Sequence, residues 1–301
     1  FIRKLADIDP RECLYDFEGT GNVEETTARA LPSSVTWEVD APRYDDYSRS
    51  LNIVKSNILA GNSYLANLTC KVPVRCNLSL HDIFLNAKGK YKLLLRGEKS
   101  RGRRFVCFSP ERFLKIHDGR IYSYPMKGTL DASIPNAVDI LMADRKEAAE
   151  HATIVDLIRN DLSRVATQVR VDRYRYIDVL HTNKGDILQT SSEISGQLPD
   201  NYREHLGDII AAQLPAGSIT GAPKRKTVEI IQEAEGYDRG FYTGVMGIYS
   251  EGNLNSAVMI RFVEQDAEGR LAFKAGGGIT AKSDCRKEYE EVIQKIYLPF
   301  E

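Results

Sequence analysis

RFVCFSPERFLKIHDGRIYSY, residues Arg104–Tyr124, is the stretch whose reading decides the fold class. Arg104–Phe108 and Arg112–His117 are short runs rich in β-branched and aromatic residues, and Gly119–Tyr124 is a third. Asp118-Gly119 between the last two predicts a hairpin, because both residues tolerate the positive φ that a two-residue turn demands. Strands that follow one another without an intervening helix argue for antiparallel pairing rather than alternating β and α units.

The same pattern extends outward. Upstream, Ser63–Val74 and Lys90–Leu95 read as strands. Tyr44–Leu59 reads as an amphipathic helix, with Tyr47, Leu51, Val54 and Ile58 on one face and Gly61 as its stop. Glu18–Pro42 has little periodicity and reads as an irregular connection. Downstream, Asp144–Val165 is a long helix that Asp144 can cap. Val169–Val179 and Ile187–Leu198 read as strands, and Tyr202–Ala212 as a helix. Pro223 suits the first position of a helix running to Glu235. Strands are predicted at Gly244–Tyr249, Asn255–Val263 and Arg270–Lys274. A last helix runs from Ser283 or Asp284 to Ile296. The fold class is α+β with antiparallel sheets.

The bulk properties are those of an ordinary globular chain. Of 301 residues, 42% are apolar and 28% charged, and the net charge of -1 gives no general attraction to nucleic acid or to an acidic membrane. No run of about 18 apolar residues offers a membrane span. Five scattered cysteines without a Cys-x-x-Cys fit reduced thiols in a cytoplasmic setting.

Several residue sets can carry chemistry. Glu147 and Glu150 lie three apart on one helix, and Glu288 and Glu291 three apart on another. That spacing puts each pair on one helix face. Such pairs are usually solvated, but carboxylates from two helices can hold a hard cation such as Mg²⁺. Leu214–Lys224 (LPAGSITGAPK) is a glycine-containing loop opening a helix, a place where anions bind. Ala275-Gly276-Gly277-Gly278 ends a predicted strand, and glycines there let a ligand or another backbone approach. Lys127, in the turn-like PMKGT, is a nucleophile if neutral. Glu111 is a candidate acid one hairpin upstream, and Arg261, late in an apolar strand, requires an anionic partner if it points inward.

With those residues in view, the sequence from about Arg49 onward resembles the chorismate-utilising enzymes. These include anthranilate synthase large subunits, aminodeoxychorismate synthase component I, and isochorismate and salicylate synthases. The resemblance rests on SPERF (109–113), PMKGT (125–129), DRKEAAEHATIVDLIRNDLSRV (144–165), PAGSITGAPK (215–224), FYTGVMG (241–247), MIR (259–261), AGGGI (275–279) and EYEEVIQK (288–295), in family order. It implies two packed antiparallel sheets with helices outside. Residues 1–43 would form a shortened N-terminal segment without a tryptophan site, and 44–301 the chorismate-binding catalytic domain.

The resemblance also implies roles. Glu150 and Glu291 would be Mg²⁺ ligands, with Glu147 and Glu288 as second ligands. Gly276, Gly277, Gly278 and Lys295 would cradle a substrate carboxylate. Tyr242 and Arg261 would contact the enolpyruvyl carboxylate, and Gly128, Gln189 and Ser218 would line the ring. Lys127 stands where aminating members have lysine and anthranilate synthases a small residue. It implies attack at C2 of chorismate, Glu111 protonating the departing C4 hydroxyl, then ammonia adding at C4. Ammonia would come from a separate glutamine amidotransferase, and an aminodeoxychorismate lyase would act downstream. Leu65 stands where water-adding members carry a lysine, which disfavours hydration; aminating members usually have glutamine there. Gln189 replaces a family histidine and cannot move protons. The alternatives are an anthranilate-forming subunit and a non-catalytic chorismate-binding relative.

Overall fold

The computed structural model describes residues 2–23, 32–97, 103–182 and 185–300, and their side chains apart from those of 146, 180–182 and 185. Residues 24–31, inside the stretch read as an irregular connection, lie outside the described residues. Strands are numbered β1–β16 and helices α1–α7 along the chain. The chain forms two compact units. One comprises Phe1–Glu111, Ile219–Gly244 and Val258–Glu301, the other Arg112–Ser218 and Val245–Ala257.

The first unit is built on a nine-stranded antiparallel sheet. Its strands are β1 (Cys13–Phe17), β2 (Thr20–Gly21), β3 (Trp37–Val39), β4 (Leu65–Cys76), β5 (Tyr91–Leu95), β6 (Arg104–Ser109), β12 (Gly221–Ala222), β15 (Phe262–Gln265) and β16 (Leu271–Ile279). The spatial order is β12-β4-β16-β15-β6-β5-β1-β2, with β3 also on β4. Helices α1 (Tyr44–Leu59), α2 (Leu80–Asn86), α6 (Lys224–Glu235) and α7 (Cys285–Gln294) accompany it. The sequence periodicity places α1 correctly to the residue. Tyr47, Leu51, Val54 and Ile58 are its buried face, and they join Leu68, Val72, Phe273 and Ile279 in one core cluster. Each such aliphatic contributes about 2 kcal/mol by leaving water. Gly61, at φ 78°, ends the helix in the left-handed region.

The second unit carries a seven-stranded sheet. It comprises β7 (Arg112–His117), β8 (Arg120–Ser123), β9 (Met126–Asp131), β10 (Thr167–Thr182), β11 (Gly185–Gln197), β13 (Val245–Ser250) and β14 (Asn253–Val258). The order is β10-β11-β8-β7-β14-β13, with β9 also on β11. Helices α3 (Ala137–Ala143), α4 (Arg145–Leu162) and α5 (Leu206–Gln213) belong to it. The Asp118-Gly119 hairpin forms as read: His117 pairs with Arg120, and both turn residues have positive φ. The two antiparallel sheets with helices bear out the α+β class. Among the described residues, no helix is long and apolar enough to cross a membrane.

The structure corrects several expectations. PMKGT is not a turn: Met126 onward is β9, paired with β11. The strand expected over Asn255–Val263 is two strands, β14 in one sheet and β15 in the other. Between them Arg261 has φ 54°, which no strand continues through. The glycine triplet lies inside β16 rather than at its end, because Gly276, Gly277 and Gly278 pair with Thr69, Leu68 and Asn67 of β4. Pro223 occupies the N-cap of α6, one residue before the helix. The helix expected from Tyr202 begins at Leu206. Strands β1–β3 and helices α2 and α3 carry too little pattern in so few residues to be read.

Candidate active site

In the second unit, β9 and α4 bring Lys127 and Glu150 together. Asp144 caps α4 as expected, accepting from the Glu147 N–H at 3.0 Å. Glu147 and Glu150 then sit on its first turns, as the spacing requires. Lys127 Nζ stands 3.6 Å from Glu150 Oε2, with side chains 23% and 12% exposed. The lysine therefore has a counter-charge rather than the apolar pocket expected for a neutral amine. Gly128 has φ 66°, and a Cβ there would lie 3.1 Å from Leu141 Cδ1 and 3.2 Å from Glu147 Oε2. Only glycine accepts both that conformation and that proximity. Gln189 pairs with Thr129, and its Oε1 is buried without a hydrogen-bond partner among the described residues. That oxygen is an acceptor available to a donor. Ser218 lies in a short 3₁₀ turn, Gly217–Ile219.

In the first unit, β16 and α7 form a separate cluster. A Cβ on Gly277 would lie 3.7 Å from Glu288 Oε2, 3.8 Å from Lys295 Nζ and 4.0 Å from Glu291 Oε1. The missing side chain thus leaves a space rimmed by two carboxylates and an ammonium. Lys295 Nζ donates to Glu291 Oε1 at 2.7 Å and to Gly276 O at 3.1 Å. Asp284 caps α7 through the Lys287 N–H. Tyr242 is buried, and burial holds its hydroxyl well above the ordinary range, so it stays a donor. The Arg261 guanidinium lies over the Tyr297 ring at 5.7 Å. Glu111 ends the first stretch of this unit, its N–H on Ser109 Oγ and its carbonyl accepting from Val258. Leu65 is buried on β4 beside Ala222, offering no polar atom from its side chain.

The four glutamates therefore divide between the units, two in each. Among the described residues, no three His, Cys, Asp or Glu side chains gather closely enough to hold a metal. Each pair still supplies hard oxygen donors. Mg²⁺ commonly takes only one or two carboxylates and keeps several waters, so the donor sets fit it.

Residues that the sequence did not disclose hold these clusters in place. His151, next to Glu150, is fully buried, with Nε2 2.6 Å from Ser192 Oγ. Burial, then the charges of Arg175 and Lys127, lowers its pKa to about 4. Glu235 accepts from the Thr69 N–H at 2.7 Å and pairs with Arg239 at 2.6 Å. Arg239 also donates to Asn67 O and Ile219 O. This fixes the part of β4 against which the glycines lie. Only the adjacency of His151 to Glu150 was a usable signal.

Comparison with known proteins identifies the family. The family profile described as chorismate binding enzyme matches residues 7–300. An uncharacterized PabA-like protein of Haemophilus influenzae is 51% identical over 258 residues, 86% of this chain and 76% of that one. Anthranilate synthase component 1 of Archaeoglobus fulgidus is 33% identical over 305 residues, 98% of this chain and 70% of that one. Aminodeoxychorismate synthase component 1 of Salmonella typhimurium is 37% identical over 199 residues, 64% and 42% of the two chains. The crystal structure of anthranilate synthase component I from Streptococcus pneumoniae superposes with a TM-score of 0.73 at 24% identity. It covers 87% of this chain and 59% of that one, a likeness of fold.

Proposed function

The chain belongs to the chorismate-binding enzymes, and we propose that within them it aminates chorismate at C4 to give 4-amino-4-deoxychorismate. The observation that carries this reading is Lys127, an amine on β9 standing against Glu150 of α4. Lys127 Nζ bonds to C2 as the C4–O bond breaks, and Glu111 gives the departing hydroxyl its proton, so water leaves. Ammonia then bonds to C4 as the C2–Nζ bond breaks, which returns the amine. Splitting one substitution into two covers the direct displacement of a poor leaving group. The amine must shed its ion pair with Glu150 to act. Mg²⁺ is the proposed cofactor, with Glu147 and Glu150 in one unit and Glu288 and Glu291 in the other as its proposed donors, and when bound it would supply positive charge to a substrate carboxylate. Lys295 and the space over Gly277 suit a carboxylate, Tyr242 and Arg261 add donors for a second one, and Gly128, Gln189 and Ser218 border the ring. Ammonia comes from a glutamine amidotransferase subunit, and a lyase uses the product.

A second reading, anthranilate formation, is favoured by the near full-length similarity to an anthranilate synthase component 1. Lys127 opposes it, because that reaction places a small residue at this position. The test is purified chain with chorismate, Mg²⁺ and an ammonium salt, the products separated by chromatography. A product that aminodeoxychorismate lyase converts to p-aminobenzoate is expected. Anthranilate with pyruvate would establish the second reading, and no turnover would leave binding alone.

A further inference from the structure

We infer that Arg175 is the positioning residue that holds helix α4, and with it Glu147 and Glu150, against Gly128 and Lys127. Arg175 lies where β10 shifts register against β11, between Arg173 and Tyr176. Its φ is 46°, and it is only 9% exposed. A bulge of this kind re-aims a side chain that regular alternation would send elsewhere. Here it sends a guanidinium among main-chain carbonyls. Nη1 donates to Met142 O at 2.7 Å, and Nη2 donates to Leu141 O at 2.8 Å and to Asp144 O at 3.3 Å.

Those carbonyls matter for where they sit. Leu141 and Met142 are in the last turn of α3, where carbonyls lack helical partners and a cation is favoured. Asp144 is the residue whose side chain caps α4 at Glu147. One side chain thus ties the end of α3 to the start of α4. The main chain of Arg175 makes a second tie. Its N–H donates to Ser192 Oγ at 2.8 Å, and the same oxygen meets His151 Nε2 at 2.6 Å. His151 follows Glu150 directly. Helix α4 is therefore held on both sides of its glutamate pair through one residue of β10. Lysine keeps the charge but offers a point donor where a planar fork spans three carbonyls.

The turnover part of this inference rests on the function proposed above; the structural part does not. Arg175→Lys in the full chain is compared with Arg173→Lys, a neighbour whose guanidinium covers the Tyr176 ring at 3.7 Å. Amide hydrogen exchange read by mass spectrometry and steady-state kinetics are measured on both. For Arg175→Lys, exchange over residues 141–152 speeds up while the β7–β8 hairpin is unchanged. With a displacement of about 1 Å at the site, kcat falls on the order of 10- to 100-fold and the KM for chorismate stays within about twofold. Arg173→Lys changes neither. Exchange that rises uniformly, or not at all, overturns the inference, as does an unchanged kcat in an actively aminating chain. If Arg175→Lys does not fold, Ser192→Ala cuts the second tie, and exchange around His151 is judged by the same local or uniform pattern. Absence of aminated product from the unsubstituted chain would sink the proposed reaction, while the exchange pattern would still decide the role of Arg175.

Discussion

Adjacent glycines of β16 should respond oppositely to the same substitution. A Cβ on Gly276 would fall 2.5 Å from Leu68 O, 2.5 Å from Thr69 Cγ2 and 2.9 Å from Thr69 Cβ. The first of these is backbone of the paired strand, so Gly276→Ala must push β4 away. Overpacking of this kind costs about 1–3 kcal/mol. A Cβ on Gly277 meets nothing closer than 3.7 Å. Gly277→Ala therefore regains about 0.5–1 kcal/mol, the usual penalty of glycine within a strand. The two variants should differ by roughly 2–4 kcal/mol, which for a chain of 301 residues corresponds to melting temperatures about 3–6 °C apart. The stable variant should be the one impaired in binding. Its methyl group fills the space rimmed by Glu288, Glu291 and Lys295, and the KM for chorismate should rise about 10-fold, equivalent to ~1.4 kcal/mol. Thermal melts and initial-rate kinetics on the two variants read both quantities. A Gly277→Ala chain as unstable as Gly276→Ala would refute the geometry. A stable chain with unchanged KM would refute the carboxylate cradle.

Lys127→Ala should lower aminated product by more than about 1000-fold, as loss of a nucleophile does. The pair is mostly buried, so removing the lysine should also cost about 1–3 kcal/mol of stability; undiminished product would exclude the covalent role. His151 should make stability depend on pH. Its folded value of about 4 lies below the ordinary 6.5, so its contribution is complete above pH 6.5 and is lost as pH falls through 4. The total is about 3 kcal/mol. Urea unfolding of the wild type and His151→Gln across pH 7.5 to 4 should show this difference, and parallel pH curves would contradict it. Chelation by EDTA should stop turnover and added Mg²⁺ restore it, whereas full activity in EDTA would remove the metal from the scheme.

The aromatic and β-branched runs around Asp118-Gly119 were enough to place β7 and β8, because a two-residue turn and the strands it joins are local events. Helix α1 was legible to the residue for the same reason: its buried face repeats every three or four positions. The helical spacing of Glu147 with Glu150, and of Glu288 with Glu291, by itself puts each pair on one face. The motifs around Lys127 and the glycine triplet marked the family. Tertiary structure decided what depends on partners far along the chain. Strand β9 exists because β11 pairs with it; six residues containing Lys-Gly carry no strand pattern of their own. The apolar run over 255–263 looks continuous, yet it breaks at Arg261 because its two halves pair in different sheets. Burial of His151, the ion pair of Lys127 with Glu150, and the reach of Arg175 to three carbonyls also arise from long-range packing. A charged residue in a strand reads as solvent-facing in sequence, and only a register shift against β11 turns Arg175 inward.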